Sequence, residues 1–183
     1  AEEQVLGFRH ELIREAIESS LAPPRRRDLH GRVVAALTAQ ERPDHARLAH
    51  HAELAGLDAE ACRHASLAAA DAERVGALRE TSLQAARALR LGVGLEGSER
   101  LELLLRHSHA ANFASTRLED AVESAEEAIG LAERLGDRAR HGRALVALAW
   151  ALWSLDRLPE AKDAAERAVA VLEPAGDPAA LAR

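Results

Sequence analysis

The chain has 183 residues, of which 48% are hydrophobic, 30% charged and only 2% aromatic. This length corresponds to one domain or a short array of repeats, and the hydrophobic fraction is far above the range of disordered chains. Thirty acidic and 24 basic residues leave a net charge of −6, the wrong sign for neutralising phosphates, so nucleic acid is not an expected direct partner. With two Phe, two Trp and no Tyr, the composition excludes a β-sandwich and favours closely packed helices.

Cysteine usage and hydropathy indicate the compartment. The single cysteine, Cys62, excludes an intramolecular disulfide framework and fits a reducing environment, so a cytoplasmic location is predicted. The longest apolar run, residues 144–153, is about half of the roughly 20 residues that cross a bilayer, so no membrane contact is expected. Both ends of the sequence are expected to be cuts through a larger protein, because no signal pattern opens it and residues 177–183 resemble the start of a helix.

Helical periodicity, punctuated by Gly and Pro, predicts nine helices in chain order. They are expected over residues 9–20, 24–40, 43–55, 58–75, 77–91, 98–114, 117–135, 137–155 and 159–173. Asp58 and Asp137 are predicted N-caps, and the glycine-rich residues 92–97 form the predicted long connection. In the second helix, the residues expected to face inward are Leu29, Val33, Ala36 and Leu37.

A small-residue triplet at i, i+4 and i+7 recurs in four of these helices, at successive spacings of 20, 40 and 40 residues. The triplets are Ala61/Ala65/Ala68, Thr81/Ala85/Ala88, Ala121/Ala125/Ala128 and Ala161/Ala165/Ala168. A stripe of small side chains lets a partner helix approach closely. The spacing therefore predicts stacked helical hairpins, an internal repeat.

Residues 143–173 resemble a tetratricopeptide repeat. Leu148-Ala149 stands where that motif has its Leu-Gly/Ala pair, the small residues of the second helix are in place, and Pro174 follows. The preceding unit is similar, with His109 where the motif has a small residue. The resemblance implies an all-α fold of antiparallel helical hairpins, about nine helices, stacked as a tetratricopeptide-like solenoid.

The N-terminal part carries a second resemblance. Phe-Arg-His-Glu-Leu-Ile-Arg-Glu-Ala at 8–16, Arg-Arg-Asp-Leu-His at 26–30 and Asp-His-Ala-Arg-Leu-Ala-His-His at 44–51 resemble the segment that joins the ATPase module to the helical repeats in LuxR-type signal-transduction ATPase regulators related to the maltose-regulon activator. Residues 1–42 would then be the tail of the winged helix with linker helices. Residues 43–183 would be the repeats, truncated at the C-terminus.

The LuxR-type resemblance implies a non-catalytic sensor region that binds an effector or partner. This region would control the oligomerisation and activity of ATPase and DNA-binding modules elsewhere in the protein. The sequence has no GxxxxGK[ST], so ATP or ADP would belong to the full-length protein and this fragment would hold no cofactor. The partners implied are the intramolecular ATPase module, a small-molecule or peptide effector and a second copy of the chain. His10 would sense the nucleotide phosphates.

A different class stays open on the sequence alone. The same repeats could form the protein–protein interaction scaffold of a kinase- or cyclase-linked signalling ATPase, with a peptide as ligand and no transcriptional role.

Groove positions of the tetratricopeptide motif map onto residues in two units. They are Arg143, Val146, Trp150 and Trp153 in one unit, and Leu103, Arg106, Ala110 and Phe113 in the preceding one. Three of the four aromatic residues fall in this set, and large apolar rings beside arginines suit recognition of a polar or anionic effector. The alternative is that Trp150 and Trp153 pack under a further repeat.

Catalytic and metal chemistry find little support in the sequence. His45, His50, His51 and His64 are close in sequence but share no metal-ligand motif, so no metal site is predicted and these are interpreted as surface or interhelix histidines. Cys62 and His64 are two residues apart and point away from each other on a helix, so Cys62 is predicted to be a small buried hydrophobe. The fragment is not expected to be an enzyme.

Overall fold

The computed structural model describes residues 20–114 and 117–173, and regular secondary structure within these ranges is entirely helical. Its eight helices are α1 (Pro23–Thr38), α2 (His45–Ala55), α3 (Asp58–Arg74), α4 (Leu78–Leu91), α5 (Gly97–Phe113), α6 (Leu118–Leu135), α7 (Arg138–Ser154) and α8 (Leu158–Leu172). They match the predicted helices from the second to the ninth within a few residues. The predicted helix over 9–20 lies outside the described residues except for its last position.

Side-chain caps explain two of the helix starts. Asp44 accepts a hydrogen bond from the N–H of Arg47 at 3.0 Å, and Asp137 accepts one from the N–H of Arg140 at 2.9 Å. This backbone hydrogen bond is the main reason that the pKa of Asp137 is lowered. The prediction for Asp58 was wrong by one residue, because Leu57 is the N-cap and Asp58 is the first residue of α3, where its charge still favours the helix N-terminus.

Four helices end in the same way on a 20-residue register. Each is followed by a residue with a positive φ, and the N–H of the next residue donates to the carbonyl five positions back at 2.9 Å. The residues with positive φ, between 59° and 77°, are Gly56, Gly76, Gly136 and Asp156. This is the Schellman arrangement, which satisfies the last carbonyls of a helix and turns the chain sharply. Identical turns at a fixed spacing make the repeat a property of the backbone as well as of the sequence.

Packing follows chain order. Each helix packs against the one before it and the one after it, and α5 also packs against α7. The buried apolar residues form three successive clusters, one across α1 to α3, one across α2 to α5 and one across α5 to α8. A core assembled between neighbours in this way is the packing expected of a helical repeat.

The small-residue stripes supply much of this core. The triplets in α3, α4 and α6 are all buried, as predicted. In α8, Ala161 and Ala168 are buried but Ala165 is exposed, so the fourth stripe is only partly covered by described residues. In α1 the buried face is His30, Val34 and Leu37; the inward prediction for Ala36 was wrong, because the helix is rotated to bury His30 instead.

Within the described ranges, every helix is either too short or too polar to cross a lipid bilayer.

Replacing Asp156 with Gly should stabilise the protein by about 0.5–1 kcal/mol, because Asp156 has a φ of 59° and glycine adopts this region without steric cost. The matched change Gly136→Ala, at the equivalent turn 20 residues earlier, should destabilise it by about 1 kcal/mol. Urea denaturation measures both free energies of unfolding. Equal effects of the same sign would contradict the assignment of these turns.

Replacing Gly142 with Ala should destabilise the protein by about 1–3 kcal/mol, because the added Cβ would overlap Cγ and Cδ2 of the fully buried Leu172. Gly31 is the control, since a Cβ there meets nothing within 4 Å. Gly31→Ala should stabilise α1 by about 0.5–1 kcal/mol. If Gly142→Ala also stabilised, the close approach of α7 to Leu172 would be disproved.

Candidate functional site

An aromatic patch lies where α5 and α7 pack together. Trp150 and Trp153 are three residues apart on α7, and their ring centroids are 5.6 Å apart at an interplanar angle of 89°. The ring centroid of Phe113, the last residue of α5, is 6.1 Å from that of Trp150 and 4.8 Å from that of His109. The structure therefore brings together three residues that the sequence placed in one groove, and His109 joins them. Positions i, i+3 and i+4 share a helix face, which is why each helix contributes a pair.

The rings of the aromatic patch are open to solvent. Phe113 is 50% exposed, Trp150 38% and Trp153 59%. A single exposed large hydrophobic side chain is common on protein surfaces, but a contiguous cluster of them marks an interaction surface. His109 is exposed as well, so a bulky side chain at this motif position points outward and does not disturb the packing of α5.

A cavity of about 580 Å³ adjoins the patch between α7 and α8. Its lining comprises Val146, Ala149, Trp150, Trp153, Leu158, Ala161, Lys162, Ala165, Ala168 and Val169. Lys162 carries the one charge among these ten residues. A concave apolar surface of this size, with few polar groups, is typical of small-ligand sites and of grooves that accept an apolar side chain. Val146, Trp150 and Trp153 of the predicted set belong to this cavity.

Arg106 and Arg143, the two arginines of the predicted groove, are engaged by glutamates. Nε of Arg106 in α5 is 2.8 Å from Glu73 of α3, and the Arg106 side chain is only 15% exposed. Nη1 of Arg143 in α7 is 3.8 Å from Glu102 of α5, which also lies 3.3 Å from Nε of Arg140. The ion pair of Arg106 with Glu73 thus connects α5 to α3. Arg143, half-exposed, is the one of the two with charge available at the surface.

Two further groove predictions, Leu103 and Ala110, were wrong, because both side chains are buried. Leu103 packs in the cluster formed by α2 to α5. The mapping from the motif failed there because α5 is covered by helices on both sides.

The other sequence predictions concern His10, Cys62 and a metal site. His10 lies outside the described residues. Cys62 is buried as predicted; its thiol donates to the carbonyl of Ala88 at 3.4 Å, and burial raises its pKa, which disfavours the reactive thiolate. Among the described residues, no group of three or more potential ligands is arranged for a metal ion.

Pairing of histidines between helices was the feature that sequence reasoning did not reach. Nδ1 of His30 lies 2.9 Å from Nδ1 of His51, and Nδ1 of His45 lies 3.1 Å from Nδ1 of His64. The interpretation as interhelix histidines was correct in kind, but the partners were not assigned. The separations of 21 and 19 residues, close to the 20-residue register, are the signal that could have suggested them.

His107 and Ser124 form a buried polar contact between α5 and α6. Nδ1 of His107 lies 2.8 Å from Oγ of Ser124, and both side chains are buried. Burial is the main reason that the pKa of His107 is lowered. The pair lies within the helix interface and not at the cavity, so its role is to satisfy buried polar atoms.

No protein-family model matches this chain, and no curated protein matches it in sequence.

Replacing Ser124 with Ala should destabilise the protein by about 1–3 kcal/mol, because it leaves the buried Nδ1 of His107 without its partner. Ser66→Ala is the matched control, since Ser66 is half-buried and donates only to the carbonyl of Cys62 in its own helix. That change should be nearly neutral. Chemical denaturation at pH 7.5 compares the two, and equal losses would show that the His107 contact contributes nothing specific.

Proposed function

We propose that this chain is a non-catalytic helical-repeat region that binds an effector or partner at the aromatic patch and the adjoining cavity. The observation that carries the proposal is the cluster of exposed Phe113, Trp150 and Trp153 beside an apolar cavity of about 580 Å³. The chain has four Phe and Trp residues in total, and three of them lie on this one surface. Aromatic anchors next to a concave apolar surface are the usual source of binding energy at a recognition site.

The charges near the cavity favour an amphipathic ligand. Lys162 lines it and is 77% exposed, with Glu166 at 3.7 Å as its helix neighbour. An effector with an apolar body and an acidic or polar group would bury the former against the Trp rings and place the latter at Lys162. A peptide side chain with the same character would be accepted equally.

The wider role follows the LuxR-type resemblance of the N-terminal segments. In this proposal the helices form a tetratricopeptide-like solenoid in the cytoplasm, and ligand binding at the aromatic patch biases the oligomeric state of an attached ATPase module that binds ATP or ADP. The 20-residue register of turns and stripes supports the repeat part of the proposal. A repeat array suits this task because each hairpin contacts its neighbours, so a ligand on one hairpin can alter the next.

The anionic dye 1-anilinonaphthalene-8-sulfonate tests the proposed site, because it combines an apolar ring system with one acidic group. We expect saturable binding at pH 7.5 that quenches tryptophan fluorescence, since both tryptophans lie at the cavity. Trp150→Ala should weaken binding at least tenfold, which corresponds to about 1.4 kcal/mol, with the helical circular dichroism unchanged.

Leu83→Ala is the control, because Leu83 is an exposed apolar side chain on α4, 56% exposed and outside the cavity lining. Its dye affinity should equal that of the unmodified protein. Unchanged binding in Trp150→Ala would reject the patch as the site. Loss of helical structure in Trp150→Ala would instead assign Trp150 to packing.

A further inference from the structure

Histidine pairs connect α2 to both of its neighbours. His30 of α1 meets His51 of α2, and His45 at the start of α2 meets His64 of α3. In the second pair the rings stack at an interplanar angle of 24°, with their centroids 5.2 Å apart. His64 is only 4% exposed, so the contact is largely shielded from water.

Arg63 determines the tautomer of His64. Nη2 of Arg63 lies 3.1 Å from Nε2 of His64, and a guanidinium can only donate, so this Nε2 carries no proton. Neutral His64 must then carry its proton on Nδ1 and donate it to Nδ1 of His45 at 3.1 Å. His45 is the acceptor and keeps its own proton on Nε2. The three side chains form a one-way chain of hydrogen bonds from Arg63 through His64 to His45.

An additional proton breaks this chain wherever it binds. On Nε2 of His64 it would place two N–H donors, one from each side chain, against each other at Arg63. On Nδ1 of His45 it would oppose the N–H of His64 in the same way, with two positive charges close together if both rings were protonated. We propose that Arg63, His64 and His45 form a proton-sensitive latch between α2 and α3, closed at neutral pH and opened by mild acid.

The surroundings of the latch favour the closed, neutral form. Among the described residues, the charged or titratable groups that act on His64 are Arg63 and Glu60 of α3 and His45 of α2. Burial, followed by Arg63 and His45, lowers the pKa of His64, and Glu60 opposes them. Next to His45, the carboxylate of Asp44 is occupied as the cap of α2, accepting from the N–H of Arg47.

The direction of the pH dependence follows from this lowered pKa. The unfolded state takes up a proton near a pH of about 6.5, before the folded state does, so acid favours opening. The stability that the latch contributes is fully present above about pH 6.5 and is lost as the pH falls through the folded pKa. The pKa of the buried His107 is lowered as well, so acid also reduces the free energy of unfolding of the whole fold. Opening of the latch must therefore be detected as a local effect, in addition to this global one.

Imidazole nitrogen NMR on the unmodified protein tests the proton assignment. Long-range proton–nitrogen correlation spectra at pH 7.5 should show His64 as the Nδ1–H tautomer, which is the minor form in water, and His45 as the Nε2–H tautomer. His64 in the Nε2–H form, or both rings averaging between tautomers, would overturn the proposal. Exposed His109 provides the reference for a histidine outside the latch.

Hydrogen exchange tests the opening. Between pH 7.5 and 5.5, protection factors of α2 amides, corrected for the intrinsic exchange rate, should fall severalfold more than those of α7, up to the roughly tenfold that one histidine with a reference pKa of about 6.5 can supply. The double variant His45→Asn/His64→Asn cannot titrate and keeps an amide donor facing an acceptor, so it should reduce this excess at least threefold. The control His109→Asn should retain the full excess.

An equal fall across α2 and α7 in the unmodified protein would overturn the latch. An excess that persists unchanged in the double variant would also overturn it, because the acid effect would then arise elsewhere. If the double variant loses its helical circular dichroism, the tautomer spectrum of the unmodified protein decides the question.

Discussion

Close contact between a small-residue face on one helix and the next helix is the constraint on which this structure depends. The alanines at positions 61, 65, 85, 88, 121, 125 and 128 are fully buried, so the helices that cover them approach closely. Two of the helices with such stripes, α3 and α6, end at the same distance from them, at Gly76 and Gly136. The Schellman turns at 56, 76, 136 and 156 share a 20-residue register, and the glycine-rich connection at 92–97 between α4 and α5 interrupts the series of turns without shifting this register.

Ion pairs add contacts that skip a helix. Glu53 of α2 meets Arg87 of α4 at 3.2 Å, Glu73 of α3 meets Arg106 of α5, and Glu102 of α5 meets arginines of α7. Partly exposed pairs of this kind contribute about 0–1 kcal/mol each, so they add little to the free energy of unfolding. These pairs connect each of these helices to the next but one at defined positions along both helices. Placing the aromatic patch depends on this relation, since Phe113 and Trp150 come from α5 and α7.

Features that depend on neighbours in sequence could be predicted. Helix extents, the cap at Asp137 and the buried stripes rest on propensity, capping and periodicity, and the structure agrees with them. Features that depend on the orientation of each helix about its own axis could not be predicted. Leu103 was assigned to the groove and is buried, because the covering of α5 by α4 is not encoded in the local pattern. The burial of His30, with its partner 21 residues away, could not be predicted for the same reason.

The 40-residue register also shows how the recess differs from the helix interface one repeat earlier. Ala110 in α5 corresponds to Trp150 in α7, and Ala110 is fully buried while Trp150 is 38% exposed. A methyl group at this position allows helices to approach closely, whereas an indole presents a large apolar face. Together with the exposed Ala165 on α8, Trp150 converts a site of helix packing into a recess lined by aromatic and small side chains. The latch at α2 is distant from this recess in chain order. Since each helix contacts mainly its neighbours, the helices α3 to α6 lie between the two in chain order, and ion pairs such as Glu53–Arg87, Glu73–Arg106 and Glu102–Arg140 connect alternate helices along the way.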